Sequence, residues 1–421
     1  MDVAVLGAGV IGLTTAWALV ERGHRVTLVD RQPAAGLETS FGNGAQLSYA
    51  YVAPLASAAL LAKLPRLLFD RDGPIRVRPS LDPAFIRWGL AFLAACNDRT
   101  ERATTRAQLD LAAASRSELM RLKDALDLAF GWGEPGKLVL FRSEKSMAAA
   151  TRQAALLRDW GIEQEVASPG RCLELEPALR VPVAALKGGV FTPSDQVGDC
   201  AAFCTALAER LQRSGQVAWR LGATIEAAVV EHSRLRAIRT DQGAVEADVF
   251  VLCLAQGSVR LARTAGFSLG MQPMKGYSLT LPTAADTLAL RRSVTDFDNK
   301  IVYAPLRRGN RTVVRVAGIA DLVGGDAALD ERRLATVRRA ADAFLGLDPS
   351  GGDRPWAGFR PMTPDGRPIV GPSPVEGLFL NTGHGALGWT LACGSARLVA
   401  DLIDGTPAAV DAAPFAFGRP S

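Results

Sequence analysis

The stretch from Val3 to Asp30 constrains the fold more than any other part of the chain. An apolar run, Val3-Ala4-Val5-Leu6, leads into Gly7-Ala8-Gly9-Val10-Ile11-Gly12. A helical stretch to about Arg22, a turn at Gly23 and a second apolar run from Arg25 to Val29, closed by Asp30, follow. This order predicts a strand–helix–strand unit. Gly7 permits the tight turn, Gly9 lets a pyrophosphate approach the backbone, and Gly12 lets helix and strand pack closely. The helix N-terminus offers N–H groups and a positive dipole end to phosphates. Asp30 stands eighteen residues after Gly12, where a carboxylate accepts hydrogen bonds from a ribose hydroxyl. A bare GxGxxG is weak evidence, but strand, helix and terminal acid together point to a dinucleotide.

At 421 residues the chain exceeds the ~100 to 200 residues of one domain, so two interleaved domains are expected. A 48% hydrophobic, 22% charged composition suits a large buried core and excludes disorder or a small disulfide scaffold. The net charge of +5 is spread thinly, without the basic blocks and aromatics of a nucleic-acid groove, so no nucleic-acid partner is expected. Cys96, Cys172, Cys200, Cys204, Cys253 and Cys393 form no CxxC, and only three histidines are present. Buried free thiols and no metal site are therefore expected. The opening Met1-Asp2 runs straight into a strand, without a basic n-region or cleavable apolar segment, and no apolar run reaches the ~18 residues of a membrane span. The expectation is cytoplasmic residence, with peripheral attachment to the inner face of the cell membrane left open.

Glu38-Thr39-Ser40-Phe41-Gly42-Asn43-Gly44-Ala45-Gln46 is dense in small and amide residues and reads either as a surface turn or as a ligand loop. From Ala53 to Asn97 an apolar stretch carries Lys63, Arg66, Arg71, Arg76, Arg78 and Arg87 beside Phe69, Phe85, Trp88 and Phe92. That pattern fits packed helices with snorkelling arginines, or a membrane-facing patch. Helices are expected over 100–128, 144–160, 199–214 and 329–345, and strands over 137–141, 218–254 and 271–325. A buried strand, Asp248 to Leu254, breaks at Ala255-Gln256-Gly257-Ser258, which suits close backbone approach to a ligand. The C-terminal third holds the densest signal: WAGFRPMTPDGRPIVG at 356–371, a strand at 378–381, then Thr382-Gly383-His384-Gly385-Ala386-Leu387-Gly388-Trp389-Thr390 opening a last helix. Two glycine-rich strand-to-helix turns at opposite ends of the chain point to a large cofactor held from two sides.

GAGVIG with Asp30, ETSFGNGAQLS at 38–48, PMKGYSLT at 273–280, WAGFRPMTPDGRPIVG and NTGHGALGWTLACGS at 381–395 together resemble the flavoproteins of the D-amino acid oxidase superfamily. Within it the chain is similar, over essentially its full length, to the bacterial D-amino acid dehydrogenase family. The resemblance implies an α/β fold: a Rossmann-like FAD-binding domain (1–90, 188–270, 351–421) interleaved with an α+β substrate domain on a mainly antiparallel sheet (91–187, 271–350). It implies FAD contacts from Gly7, Gly9, Val10, Ile11, Gly12, Asp30 and Arg31, from Ser40, Asn43, Gly44 and Gln46, and from Gly257. The last turn adds Gly383, His384, Gly385, Leu387, Gly388, Trp389 and Thr390.

Arg360, in the GxRP context, is implied as the substrate-carboxylate anchor beside the cofactor, which suits a permanently charged bidentate fork. Tyr277 and Tyr303 are the expected aromatic partners in the pocket, with Tyr49 and Tyr51 as further candidates. His384 is read as a flavin contact or structural residue rather than an acid or base. Gly358 aligns with the cysteine that tethers flavin in the sarcosine-oxidase branch, so a non-covalent FAD is expected. Where the family pattern favours glycine after the first small residue of the loop, this chain has Gly44 then Ala45, which puts the local backbone angle in question. The implied reaction is oxidation of a D-amino acid, with hydride passing from Cα to flavin N5 and electrons passed on to a quinone-type acceptor. An oxygen-using oxidase of the glycine, sarcosine or hydroxyproline type, and a non-catalytic FAD-binding partner subunit, are the alternatives.

Overall fold

The computed structural model describes residues 1–61, 73–283, 289–309, 311–347 and 354–419. Two sheets organise it. The first has six strands in the order β19 (Ile369–Pro372), β20 (Leu378–Thr382), β13 (Val249–Leu252), β1 (Asp2–Leu6), β2 (Arg25–Asp30) and β9 (Val217–Leu221). Its pairings are parallel except β19 with β20. Ala4, Val5 and Leu6 of β1 are fully buried, as a central parallel strand covered on both faces must be. On one face lie the helices Val10–Val20, Cys200–Arg213 and Gly388–Asp404, with the helix Asp98–Leu126 behind the last of these. On the other lies an antiparallel meander, β10 (Ile225–Glu231), β11 (Arg234–Thr240) and β12 (Gly243–Glu246). Among the described residues only Gly385–Asp404 is long and apolar enough to cross a membrane, and it is the core helix of this layer, 67% buried.

The second sheet runs β18 (Trp356–Met362), β14 (Gln272–Pro282), β17 (Arg311–Leu322), β16 (Ile301–Arg308), β15 (Ser293–Asp296), β5 (Lys137–Phe141), β7 (Gly188–Thr192) and β6 (Glu165–Ala167), with β4 (Ile75–Val77) beside β17. The two-residue alternation of strands sorts its side chains onto two faces. Tyr277, Leu279, Leu281, Ile301, Tyr303, Val314 and Val316 pack against Leu334, Val337, Ala341 and Phe344 of the helix Glu331–Leu345. The intervening residues, among them Gly276, Ser278, Arg315, Ala317, Gly358 and Arg360, face the other way. Most of the expected strands and helices are present, and sheet membership cuts across the expected segments. Strands β4, β7 and β18 pair in the second sheet, and the helix Asp98–Leu126 packs with the first, because sheet membership follows hydrogen bonding rather than position along the chain.

The 53–97 region divides. The inner face of the helix Pro83–Ala95 buries Trp88 and Phe92 against Met274 and Met362, and Trp88 Nε1 donates to the Met362 carbonyl at 2.9 Å. Its outer face leaves Ile86, Leu90 and Leu93 exposed, next to Leu81, which is 92% exposed. Lys63, Arg66, Phe69 and Arg71 lie outside the described residues.

Candidate functional site

The first glycine turn has the expected geometry. Gly7 takes φ +109°, and a Cβ there would stand 2.6 Å from the Cys253 carbonyl oxygen, while one on Gly12 would stand 1.7 Å from Gly7 O. These two positions admit only glycine. At Gly9 a Cβ would meet Ser40 Oγ alone, at 3.4 Å, so the backbone there is open to a ligand. Gly257 closes the neighbouring turn, its N–H donating to Leu254 O at 2.8 Å. Asp30 caps β2 with one oxygen accepting from Ala8 N at 2.6 Å and the other from Gln32 N at 2.8 Å. Burial pushes the carboxyl up and these amides oppose that; each oxygen keeps a lone pair for a ribose hydroxyl. Arg31 pairs with Glu38 at 2.5 Å on the exposed side of this turn. The bare Gly9 backbone, the helix N-terminus and the Asp30 carboxylate fit a dinucleotide cofactor.

The 38–46 segment is a clamped loop rather than a surface turn. It crosses the face of the second sheet strand by strand and joins the two layers. Ser40 Oγ accepts from Val10 N at 3.0 Å, tying it to the glycine turn. The Gly42 carbonyl accepts from Ser278 Oγ (β14) at 2.8 Å, and the Asn43 carbonyl from Arg315 Nη1 (β17) at 2.6 Å. Gly44 lies against Val302 and Ala317. Gln46 Nε2 donates to Ser293 Oγ (β15) at 2.5 Å, and Ser48 Oγ accepts from Lys137 Nζ (β5) at 2.8 Å. The questioned backbone angle falls on Ala45, at φ +60°, with its N–H donating to Asn43 Oδ1 at 2.7 Å. An alanine thus holds a left-handed position that glycine takes more readily.

On the same face, Arg360 lies with its guanidinium over Gly276, where a Cβ would be 2.5 Å from Nη2. Nη1 donates to Ile319 O at 3.2 Å, and the group makes no ion pair with the described residues. Burial lowers its pKa and the Asp321 carboxylate opposes this; guanidinium remains charged regardless. The residue is only half-buried, and without a carboxylate partner among the described residues its guanidinium keeps donors available for an anion. Beside it the Trp356 ring lies over Gly358 and Gly42, with ring atoms 2.0 Å from where either Cβ would stand. A cysteine at 358 would collide with that ring.

The other expected site residues do not all share this face. Tyr277 and Tyr303 sit on the opposite face of the sheet. Tyr303 stacks on Phe344 with centroids 4.4 Å apart, and Tyr277 donates to Asp321 Oδ2 at 3.1 Å. Strand alternation turns them away from the face that carries Arg360. His384 is 3% exposed, its Nε2 lies 3.0 Å from Ser395 Oγ, and burial lowers it to about 3. The ring is neutral and committed, so only its backbone is available to a ligand. The Trp389 indole likewise points inward, donating to Gly198 O at 3.1 Å and packing on Phe130 and Phe203. Thr390 Oγ1 accepts from Ser48 N at 3.1 Å. Gly383 and Gly385 take φ +77° and +54° against Thr363 and Met362, and Leu387 and Gly388 lead into the last helix beside them.

Trp356, Gly276, Ser278 and Arg315 were not singled out from the sequence. Their signal was period-two alternation, since Trp356, Gly358 and Arg360 occupy one face of β18. The buried pair Lys137 and Asp195, which burial moves to about 8 and about 6, left no local pattern. Lys137 Nζ stands 4.1 Å from the centroid of the Tyr51 ring, and the Tyr49 hydroxyl is buried without a hydrogen-bond partner among the described residues.

The family model described as FAD dependent oxidoreductase matches residues 2–402. A protein named D-amino acid dehydrogenase 2 from Ralstonia nicotianae is 44% identical, covering 100% of both chains. One of the same name from Pseudomonas aeruginosa is 46% identical over 97% of this chain and 96% of its own. Among solved structures, glycine oxidase from Geobacillus kaustophilus superposes with a TM-score of 0.76 at 23% identity, covering 100% of this chain and 99% of that one. L-proline dehydrogenase from P. horikoshii gives 0.75 at 16% identity, covering 99% and 96%. Both share the fold.

Proposed function

The chain belongs to the FAD dependent oxidoreductase family, and from that premise we propose that it oxidises D-amino acids to 2-oxo acids and ammonia and passes the electrons to a quinone-type acceptor. The observation that carries the substrate class is Arg360, a half-buried guanidinium laid on the bare backbone of Gly276, with one backbone hydrogen bond and no carboxylate partner among the described residues. A substrate carboxylate supplies the missing anion through a two-pronged contact. The relatives named D-amino acid dehydrogenase support the choice of amino acid and its hand.

Bound FAD would supply the two-electron oxidation at Cα, and the imino acid so formed would add water and split into a 2-oxo acid and ammonia. The protein's share is binding and orientation. Gly7, Gly9 and Gly12 make room for the pyrophosphate at the first helix, and Asp30 takes the ribose. Ser40 to Gln46, braced on the second sheet, carries the cofactor toward Arg360. Trp356, laid over Gly358, takes the space a tethering thiol would need, which supports non-covalent FAD. Arg360 fixes the carboxylate and so aims the Cα–H bond. His384 takes no part in proton transfer, being neutral and bonded to Ser395. The quinone acceptor is supported by the helix Pro83–Ala95, whose inner face packs on Met274 and Met362 beside β18 while its outer face exposes Ile86, Leu90 and Leu93 next to Arg87. That is the composition of an interfacial helix.

Anaerobic mixing of the yellow protein with D- and L-amino acids, glycine, sarcosine and hydroxyprolines tests the reading. Bleaching by D-amino acids, followed by faster recovery with a soluble quinone than with air, is expected. Bleaching by sarcosine or glycine with rapid recovery in air would establish an oxidase instead. Acid precipitation should release all the yellow colour into the supernatant.

A further inference from the structure

We propose that Gly276 is a specificity-determining position: its bare backbone is the seat of the Arg360 guanidinium, so the residue at 276 sets whether the site recognises a carboxylate. The inference rests on Arg360 as the anchor and extends it to a residue that touches no substrate. In the β14–β18 register Gly276 pairs with Gly358 and Met274 with Arg360. Arg360 therefore reaches diagonally along its own face to lie over Gly276. A Cβ there would stand 2.5 Å from Nη2, 2.7 Å from Cζ and 3.2 Å from Nε. All three guanidinium atoms meet the same spot, so the plate lies flat on the strand.

The opposite strand shapes the other side of the seat. Lys275 pairs with Asp321 and Tyr277 with Gly318, so Ile319 and Ala320 of β17 face the single residue Gly276. This is a two-against-one bulge. Ile319 within it takes φ +45°, a left-handed conformation that a β-branched residue rarely adopts. The bent backbone presents its carbonyl to Arg360 Nη1 at 3.2 Å. The guanidinium is held by the bulge on one side and by a missing side chain beneath. Gly276 is absent from the positive-φ glycines, so an alanine can adopt its backbone conformation. What glycine supplies here is space.

A double-mutant cycle tests this, measured on FAD-loaded protein with a D-amino acid and the matching D-amino acid amide. Gly276→Ala should retain FAD and its spectrum, lower kcat/KM for the acid by about 10-fold or more, and leave turnover of the amide nearly unchanged. In an Arg360→Ala background the same change should alter kcat/KM by less than about twofold, because the displaced group is gone. Equal losses in both backgrounds, parental activity of the single variant, or loss of FAD from it would each overturn the seat while leaving the anchor intact. An Arg360→Ala variant with parental kcat/KM for the acid would overturn the anchor, and the seat with it.

Discussion

Arg360 and His384 show how burial decides what an ionisable side chain can do. The half-buried guanidinium keeps its charge, and its single bond to Ile319 leaves most of its donors for a ligand. Arg360→Lys keeps the charge and loses the fork, and Arg360→Ala loses both. kcat/KM for D-amino acids should fall by about 10² to 10⁴ in the alanine variant, with FAD absorbance unchanged. The lysine variant should fall between it and the parent in steady-state assays. His384 responds in the opposite way, by giving up its proton. Its folded pKa of about 3 lies below the ordinary 6.5, so between these values the unfolded chain binds a proton that the folded chain refuses. Stability is therefore lost as pH falls from 6.5 toward 3. His384→Gln should flatten that part of the curve in denaturant melts at stepped pH, and should leave the pH profile of kcat unmoved. A shifted kcat profile would give His384 a part in the chemistry.

At the scale of elements, the loop 38–48 and the helix Pro83–Ala95 were both ambiguous in the sequence, each for a reason the structure makes plain. The loop's small and amide residues fit a surface turn, but Ser278, Arg315, Ser293 and Lys137, supplied by four strands, convert it into a brace between the sheets. The helix carries apolar residues on both sides, and only one side is packed. Trp88 and Phe92 face the core and Ile86, Leu90 and Leu93 face outward. If the outer face rests on a bilayer, the protein should float with anionic liposomes at low salt, and Leu90→Glu with Leu93→Glu should abolish flotation while leaving turnover with a soluble quinone intact. Parent protein that stays with the soluble fraction would return this face to ordinary surface.

The whole molecule is held together by contacts between distant parts of the chain, and the groups proposed to hold the cofactor follow the same pattern: a turn at 7–12, a loop at 40–46 and a turn at 383–390. A ligand bound only by the assembled fold stabilises it in proportion to the logarithm of its concentration. Removal of FAD should therefore lower the Tm, and added FAD at about 100 times its Kd should restore roughly 2.7 kcal/mol, read by calorimetry. The sequence by itself determined the nucleotide-binding unit, because strand, GAGVIG, helix and Asp30 are neighbours in the chain and their geometry is local. It also singled out Arg360 as the proposed carboxylate anchor, because the motif around it is contiguous. Only the tertiary structure decided which aromatic residues face the site, since Tyr277 and Tyr303 are turned away by strand alternation in the register of β14 with β18 and of β16 with β17. It alone decided what surrounds Arg360, because Gly276 and Ile319 reach it through hydrogen bonding between strands that no spacing along the chain encodes.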